Sequence, residues 1–278
     1  MNSIIKARKK LQCILLFITI FVSPLRAAFE NTATGARPTA MAGAFVGLAD
    51  SPDALFYNPA GIANLGYFSS SVFYTRPYQL KELDMATCAA TLPFAPGALG
   101  VAYKRFGRTP YQEHTVYISG AATIATRVQA GVNVKLFHLS IEKYGSASAF
   151  GIDLGFLTKL TSVMKWGVCA KNINRPRLGD CREQLPLSYA SGISCTPHSK
   201  LIILLDVSKD VRYDPSVHFG ASFTPLPFAA LRLGVQNSPS RISFGAGVNA
   251  GRLHIDYAVR THIDLGVTHS FSITFFAK

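Results

Sequence analysis

The sequence predicts an all-β protein, a transmembrane antiparallel β-barrel of about fourteen strands with an N-terminal lumenal hatch containing short helices. Two observations carry this prediction. From residue 67 onward the chain repeats a strand of roughly ten residues with alternating apolar and polar side chains, followed by a turn. Before this repeat, residues 1–27 have the pattern of an export signal, and residues 28–66, called the hatch below, are rich in small residues and do not alternate. Residues 67–278 are assigned to the barrel.

The N-terminal segment predicts export to the bacterial outer membrane. Lysines and an arginine at positions 6–10 precede an apolar run from Leu11 to Val22, and small residues follow it. A helix needs roughly 20 apolar residues to span a membrane, and this run is shorter. We therefore expect a signal peptide cleaved near Ala27 or Ala28, with an uncleaved anchor as the alternative.

Charge and cysteine content exclude some function classes. Five of the 28 basic residues lie in the signal, which leaves 23 against 15 acidic residues. The positive residues are scattered at strand spacing in an exported chain, so we expect no nucleic-acid partner. Four cysteines remain without CxxC spacing or paired histidines, so no metal site is expected. A disulfide involving Cys181 stays open; the other three cysteines are Cys88, Cys169 and Cys195.

The strands are predicted from period-two alternation. In Arg252 to Arg260, Leu253, Ile255, Tyr257 and Val259 share one face, and mostly polar residues share the other. The predicted strand centres lie near residues 71, 89, 102, 117, 132, 152, 167, 190, 204, 219, 232, 246, 256 and 270. Connections alternate between tight turns and longer polar loops, as in outer-membrane barrels.

Alternation alone does not separate a barrel from a soluble sandwich, because both bury one apolar face. Strand length near ten residues matches a tilted membrane crossing, whereas globular strands average about five or six. A closed barrel also leaves no unpaired backbone groups in lipid. The barrel is therefore favoured, and a soluble periplasmic β protein is the second alternative.

Two helix starts are predicted in the hatch. Ser51 precedes Pro52 and Asp53, which is the pattern of a side-chain cap followed by proline at the first helical position. Asn58 followed by Pro59 repeats it. Between an export signal and a series of strands, this segment is best interpreted as a plug.

The hatch also carries a family resemblance. The triplet Asn58-Pro59-Ala60, after the Ala/Gly-rich lead from Ala40 to Ala44, resembles the hatch of the FadL family of outer-membrane transport proteins, and most closely its PorV/PorQ-like branch. The C-terminal Phe271, Phe275 and Phe276 resemble the signal read by the barrel-assembly machinery, although two residues follow the last aromatic here.

The resemblance implies a barrel with the hatch in its lumen. It implies that the protein binds or transports hydrophobic or amphipathic small molecules, such as long-chain fatty acids, and that outer-membrane lipid surrounds the barrel. The PorV-like branch instead implies a subunit for secretion or surface assembly, with secretion-system proteins as partners.

Candidate ligand-binding residues come from the inward-facing basic positions. We name Arg127, Lys135, Arg232, Arg252 and His254, because a desolvated carboxylate needs a cationic partner. The alternative is that these charges pair with acidic residues of the lumen and fill a narrow barrel. The histidines are dispersed and no nucleophile motif is present, so we expect neither an enzyme nor a cofactor.

Overall fold

A computed structural model describes residues 28–30, 32–179, 183–262 and 264–277. The predicted signal peptide, Cys181 and Lys278 lie outside them. The strands are β1 Ser69–Arg76, β2 Met85–Phe94, β3 Gly97–Arg108, β4 Tyr111–Ala125, β5 Val128–Ile141, β6 Gly145–Lys159, β7 Met164–Lys171, β8 Arg177–Leu178, β9 Glu183–Gln184, β10 Ser188–His198, β11 Leu201–Asp210, β12 Ser216–Leu226, β13 Ala229–Gln236, β14 Arg241–Ala250, β15 Leu253–His262 and β16 Gly266–Phe276.

In this part of the chain, fourteen strands close into an antiparallel barrel, and β8 and β9 form a separate two-stranded ribbon. Each barrel strand pairs with its neighbours in the chain, β7 pairs with β10 across the ribbon, and β1 pairs with β16. Every predicted strand centre falls within one of these strands. The predicted fold class is confirmed.

The wall has an apolar outer face and a largely polar inner face. In β13, Leu231, Leu233 and Val235 are exposed on the outside, while Arg232 and Gly234 between them are buried. The same alternation runs through the other barrel strands. A water-soluble protein rarely exposes so large an apolar surface, so the outer face is suited to lipid.

The two ends of the barrel differ. At the turn end, neighbouring strands are joined by short connections such as residues 126–127 and 251–252. At the loop end, longer connections occur at residues 77–84 and 172–187, and the second of these carries the β8–β9 ribbon. This difference between the two rims was predicted from the sequence.

The hatch runs through the lumen from the loop end to the turn end, where Ser69 begins the first strand. It contains α1 Ala36–Ala40, α2 Ala54–Tyr57 and a 3₁₀-helix Pro59–Asn64. α1 contacts β13 to β16, and the 3₁₀-helix contacts β3 to β6 on the opposite wall. The hatch therefore bridges the interior of the barrel.

The predicted Asn58 cap is present, but the Ser51 cap was wrong. The Ser51 hydroxyl is buried and has no hydrogen-bond partner within the described residues. The backbone N–H groups of Ala54 and Leu55 donate instead to the carbonyls of Ser51 and Pro52, at 2.9 and 3.2 Å. The first of these bonds uses the Ala54 N–H, a donor that the Ser51 hydroxyl would have capped, and α2 begins only at Ala54.

Candidate functional site

Asn58 fixes the hatch to the barrel wall near the turn end. Its Nδ2 donates to the carbonyl oxygens of Val46 at 3.0 Å and Phe156 at 2.9 Å, and its Oδ1 accepts the Ala60 N–H at 3.2 Å. A primary amide supplies both the donors and the acceptor that these contacts need. Pro59 follows at the first position of the 3₁₀-helix, where its missing N–H costs little.

Glycines of the wall let the hatch backbone come close. A Cβ on Gly131 would lie 2.6 Å from the Ala60 nitrogen, and one on Gly155 would lie 2.3 Å from Asn58 Oδ1. Since both distances are shorter than a carbon can tolerate, a side chain at either position would displace the motif. Other glycines that meet the hatch in this way are Gly100, Gly167, Gly192, Gly220, Gly234 and Gly245.

Asp206 of β11 makes a second anchor on the opposite side of the same hatch segment. Its Oδ2 accepts the backbone N–H groups of Phe45 and Val46, both at 2.7 Å. Ser194 of β10 donates to the Gly47 carbonyl at 2.9 Å nearby. The role of Asp206 was not predicted from the sequence, because its partners are backbone amides.

A pair of charged residues stabilises the hatch from within. Arg37 donates to both oxygens of Asp50, at 2.8 and 3.0 Å, in the bidentate geometry typical of strong ion pairs. Burial works against the charged form of Asp50, but the adjacent guanidinium outweighs it and lowers the pKa of this carboxyl.

Asp53 is buried and receives a hydrogen bond from a neutral hydroxyl instead of an ion pair. The Ser71 hydroxyl of β1 donates to its Oδ1 at 3.0 Å. Only 2% of Asp53 is exposed, and burial raises the pKa of its carboxyl to about 6. The hatch thus contains a carboxyl group that titrates at mildly acidic pH.

The five candidate ligand-binding residues are not brought together. Lys135 and Arg232 are buried and paired, with Lys135 Nζ 2.6 Å from Asp153 and Arg232 2.7 Å from Asp256. The remaining three lie at the turn end. Arg127 and Arg252 are exposed in short turns, and the ring of His254 packs against that of Phe276 at 4.7 Å. The alternation of a strand shows which face a residue shares, but it does not show where the strand ends. The prediction that Arg127 and Arg252 lie in the lumen was therefore wrong.

A polar cavity lies between the hatch and the wall, toward the loop end. It offers about 30 Å³ to the centre of a water molecule. Its lining is Thr32, Thr34, Phe56, Lys104, Tyr117, Lys135, Asp153 and Lys171. Of the five candidate residues, Lys135 lines it. Lys104 and Lys171 belong to the separate strands β3 and β7, so their convergence depends on the curvature of the barrel.

Apolar side chains of the hatch form a core inside the barrel. Met41, Phe45, Leu55 and Ile62 are fully buried and cluster with Leu204 from the wall. A second apolar cluster lies at the loop end, and we call it the loop-end cluster. Its members are Ala28, Phe29, Phe137, Leu178 and Leu185. The lumen of water-filled porins is polar, so this interior differs from theirs.

The aromatic residues of the predicted assembly signal divide between the two faces. Phe271 is exposed on the outer face of β16. Phe276 is 6% exposed, and its ring packs edge-on against Tyr67 at 5.8 Å. The end of the last strand is therefore packed against the chain that leads into β1.

Other chemistry is limited in the described residues. Cys88, Cys169 and Cys195 are not disulfide-bonded there. In the same ranges no group of three or more histidine, cysteine or acidic side chains is arranged to hold a metal ion. The helices of these ranges include none that is both long and apolar enough to cross a membrane.

Comparison with solved structures identifies proteins of the same architecture. The monoaromatic hydrocarbon channel CymD superposes with a TM-score of 0.68 at 13% identity, over 90% of this chain and 99% of that one. The toluene transporter TbuX of Ralstonia pickettii gives 0.69 at 12% identity, over 90% and 100%. A FadL homologue of Pseudomonas aeruginosa gives 0.63 at 12% identity, over 90% and 99%.

The chain shares the fold of these proteins. The similarity covers the hatch-containing barrel as a whole, so the predicted FadL-like architecture is supported by structure and not only by the hatch motif. No protein-family profile and no curated protein matches the sequence.

Proposed function

We propose that this protein is an outer-membrane channel that binds and passes hydrophobic or amphipathic small molecules. The observation that carries the proposal is the apolar core between the hatch and the inner wall. Together with the loop-end cluster, it makes the packing of the lumen apolar at two levels, which a ligand that displaced hatch residues would contact. An apolar molecule gains free energy by leaving water for such a surface, at roughly 25 cal/mol per Å² buried.

The structural relatives support the same class of ligand. They are described as a monoaromatic hydrocarbon channel and a toluene transporter. For this chain, long-chain fatty acids remain one candidate among hydrophobic compounds. The apolar outer face and the export signal support a location in the outer membrane, with lipid around the wall.

In this proposal, transport is accompanied by a change in the shape of the interior. Pockets that hold small organic molecules usually measure about 300–1,000 Å³. The cavity beside the hatch offers about 30 Å³ to the centre of a water molecule, so it does not hold such a ligand as it stands. A ligand of that size that entered this cavity would have to displace the hatch residues that line it. In this proposal the hatch acts as a gate.

Uptake in cells tests the proposal. Cells that lack the protein should take up labelled toluene or oleate more slowly, and the wild-type chain should restore uptake. Leu178→Glu places a charge in the loop-end cluster and should reduce uptake, whereas Val211→Glu, at an exposed apolar position of another loop-end connection, should not. Heat-modifiable migration on gels and outer-membrane fractionation would verify that each variant folds. Wild-type cells that take up neither compound faster than the deletion strain would contradict the proposal.

The alternative is a PorV-like subunit for secretion or surface assembly. It rests on the hatch motif at Asn58-Pro59-Ala60. Cross-linking in intact cells distinguishes the two functions, because a secretion subunit should capture exported proteins at its loop end. The barrel-assembly machinery is expected as a partner in either case, through Phe271, Phe275 and Phe276.

A further inference from the structure

The polar cavity beside the hatch has an excess of positive charge. Three ammonium groups line it, those of Lys104, Lys135 and Lys171, whereas Asp153 is the one carboxylate among its described lining residues. Lys135 is 4% exposed and Asp153 is 2% exposed. Charged groups removed from water are costly unless they are paired.

The pairing within the cavity is incomplete. Lys135 pairs with Asp153 at 2.6 Å. Lys104 donates to the Thr32 hydroxyl at 2.7 Å, and Lys171 donates to the Phe56 carbonyl at 2.7 Å. Both of these acceptors are neutral and both belong to the hatch. An ammonium group has three N–H donors, so donors remain on Lys104 and Lys171 after these bonds.

Nearby carboxylates are already engaged. Asp153 accepts the Asn172 backbone N–H at 2.9 Å and the Asn133 side chain at 3.3 Å, in addition to Lys135. Glu113 does not line the cavity, and its Oε1 accepts the Phe29 N–H and the Tyr111 hydroxyl. Asp153 is therefore committed to Lys135. Glu113 acts on Lys104 through its charge, but among the described residues it makes no hydrogen bond to Lys104 or Lys171.

We propose that this cavity binds one small inorganic anion, a halide or a tetrahedral oxyanion, between Lys104 and Lys171. The anion would neutralise charge that the protein leaves unbalanced and would accept the free ammonium donors. Tyr117 also lines the cavity, and a tyrosine hydroxyl can act as a further donor. The cavity volume of about 30 Å³ exceeds the roughly 10–15 Å³ that one water molecule needs, but it leaves no room for a hydrocarbon chain.

The position of the site gives the anion a structural consequence. Lys104 and Lys171 belong to strands β3 and β7, whereas their neutral partners Thr32 and Phe56 belong to the hatch. An anion held by both lysines would reduce their mutual repulsion and stabilise the contacts between hatch and wall. The inorganic ion is thus a clamp on the hatch, and its binding does not depend on the proposed transport of hydrophobic molecules.

Crystals of the full-length mature protein in detergent test the site directly. One set is soaked in sodium bromide and another in sodium selenate, since both anions give anomalous signals. A peak between the Lys104 and Lys171 ammonium groups with bromide identifies a halide site, and one with selenate identifies an oxyanion site. Either peak supports the proposal. If neither soak gives an anomalous peak at this position in crystals where both lysine side chains are well ordered, the proposal is overturned.

Hydrogen exchange of peptides from residues 28–66 tests the clamp in solution. At ten times the dissociation constant of the anion, linkage predicts that exchange by hatch opening slows about elevenfold relative to gluconate of equal ionic strength. The effect should disappear in Lys104→Met and Lys171→Met. It should persist in Lys165→Met, which alters a half-buried lysine of β7 outside the cavity lining. Equal exchange in chloride, sulfate and gluconate for the wild-type protein would refute the clamp.

Discussion

The backbone nitrogen of Phe29 lies 2.8 Å from Oε1 of Glu113, and the Tyr111 hydroxyl donates to the same oxygen at 2.6 Å. Glu113 is 5% exposed and lies at the loop end of β4. The Phe29 ring packs edge-on against Phe137 at 4.8 Å. The start of the hatch is therefore held by a buried carboxylate and an aromatic contact.

Glu113→Gln should loosen the start of the hatch. The substitution keeps an acceptor but removes the charge, and hydrogen bonds to charged groups contribute about 1 kcal/mol more than neutral ones. Hydrogen exchange of peptides that cover residues 28–34 should accelerate by roughly fivefold. If the signal is cleaved after Ala28, the Phe29 nitrogen is an ammonium group and the effect should be larger; intact mass identifies the first residue. Unchanged exchange in the variant would refute the anchor.

Asp53 should make the hatch sensitive to pH. Its folded-state pKa of about 6 lies above the usual value near 3.9, so the folded state holds the proton more tightly than the unfolded state. The contribution of Asp53 to the stability of the hatch should be greatest below about pH 4, fall between pH 4 and 6, and level off above that range. Asp53→Asn keeps the acceptor for Ser71 and should remove this fall. Hatch exchange measured across this range checks it, and an identical profile for both proteins would exclude Asp53 as the source.

Gly155→Val should displace the hatch from the wall. A Cβ at this position would lie 2.3 Å from Asn58 Oδ1, within the motif that holds the hatch. We expect a higher ion conductance in planar bilayers, because the lumen is then less completely filled. Gly120→Val is the matched control on β4, since the nearest atom to its Cβ would be 4.0 Å away. Equal conductance of the two variants would contradict the close approach.

The Arg232–Asp256 pair should be costly to break on one side. Its atoms lie 2.7 Å apart and both side chains are 5% exposed. Arg232→Met leaves a buried carboxylate without its cation and should reduce the free energy of unfolding by about 3–5 kcal/mol. Arg232→Met with Asp256→Asn should recover part of this loss. Arg252→Met, in an exposed turn, is the control. Denaturant unfolding in detergent measures all three, and a single variant as stable as wild type would argue against the pair.

Much of the wall was predictable because alternation is a local property. Leu231 and Arg232 are neighbours in the chain and their faces follow directly from the period of a strand. Asn58 was predictable as a cap for the same reason, since its Ala60 partner is two residues away. The face of a strand residue and the Asn58 cap both depend only on residues nearby in the chain.

The interior was less predictable because its contacts join distant parts of the chain. Asp206 binds amides about 160 residues away, and Lys104 and Lys171 meet only through closure of the barrel. By alternation, Arg127 shares the inner face with other residues of β5, but it lies just before the first residue of that strand. Alternation cannot locate a strand end to within one residue, and that residue decides whether a charge is lumenal or solvated.

The path of the hatch also constrains the order in which the molecule is built. The strands that meet at the closing seam both hold the hatch: Ser272 of β16 accepts the Ala36 N–H at 2.7 Å, and Ser71 of β1 binds Asp53. A segment that crosses the whole lumen cannot be threaded in easily after the ring is complete. We therefore expect the hatch to lie between the first and last strands before β16 pairs with β1, so that the first part of the chain to be made influences the final step of assembly.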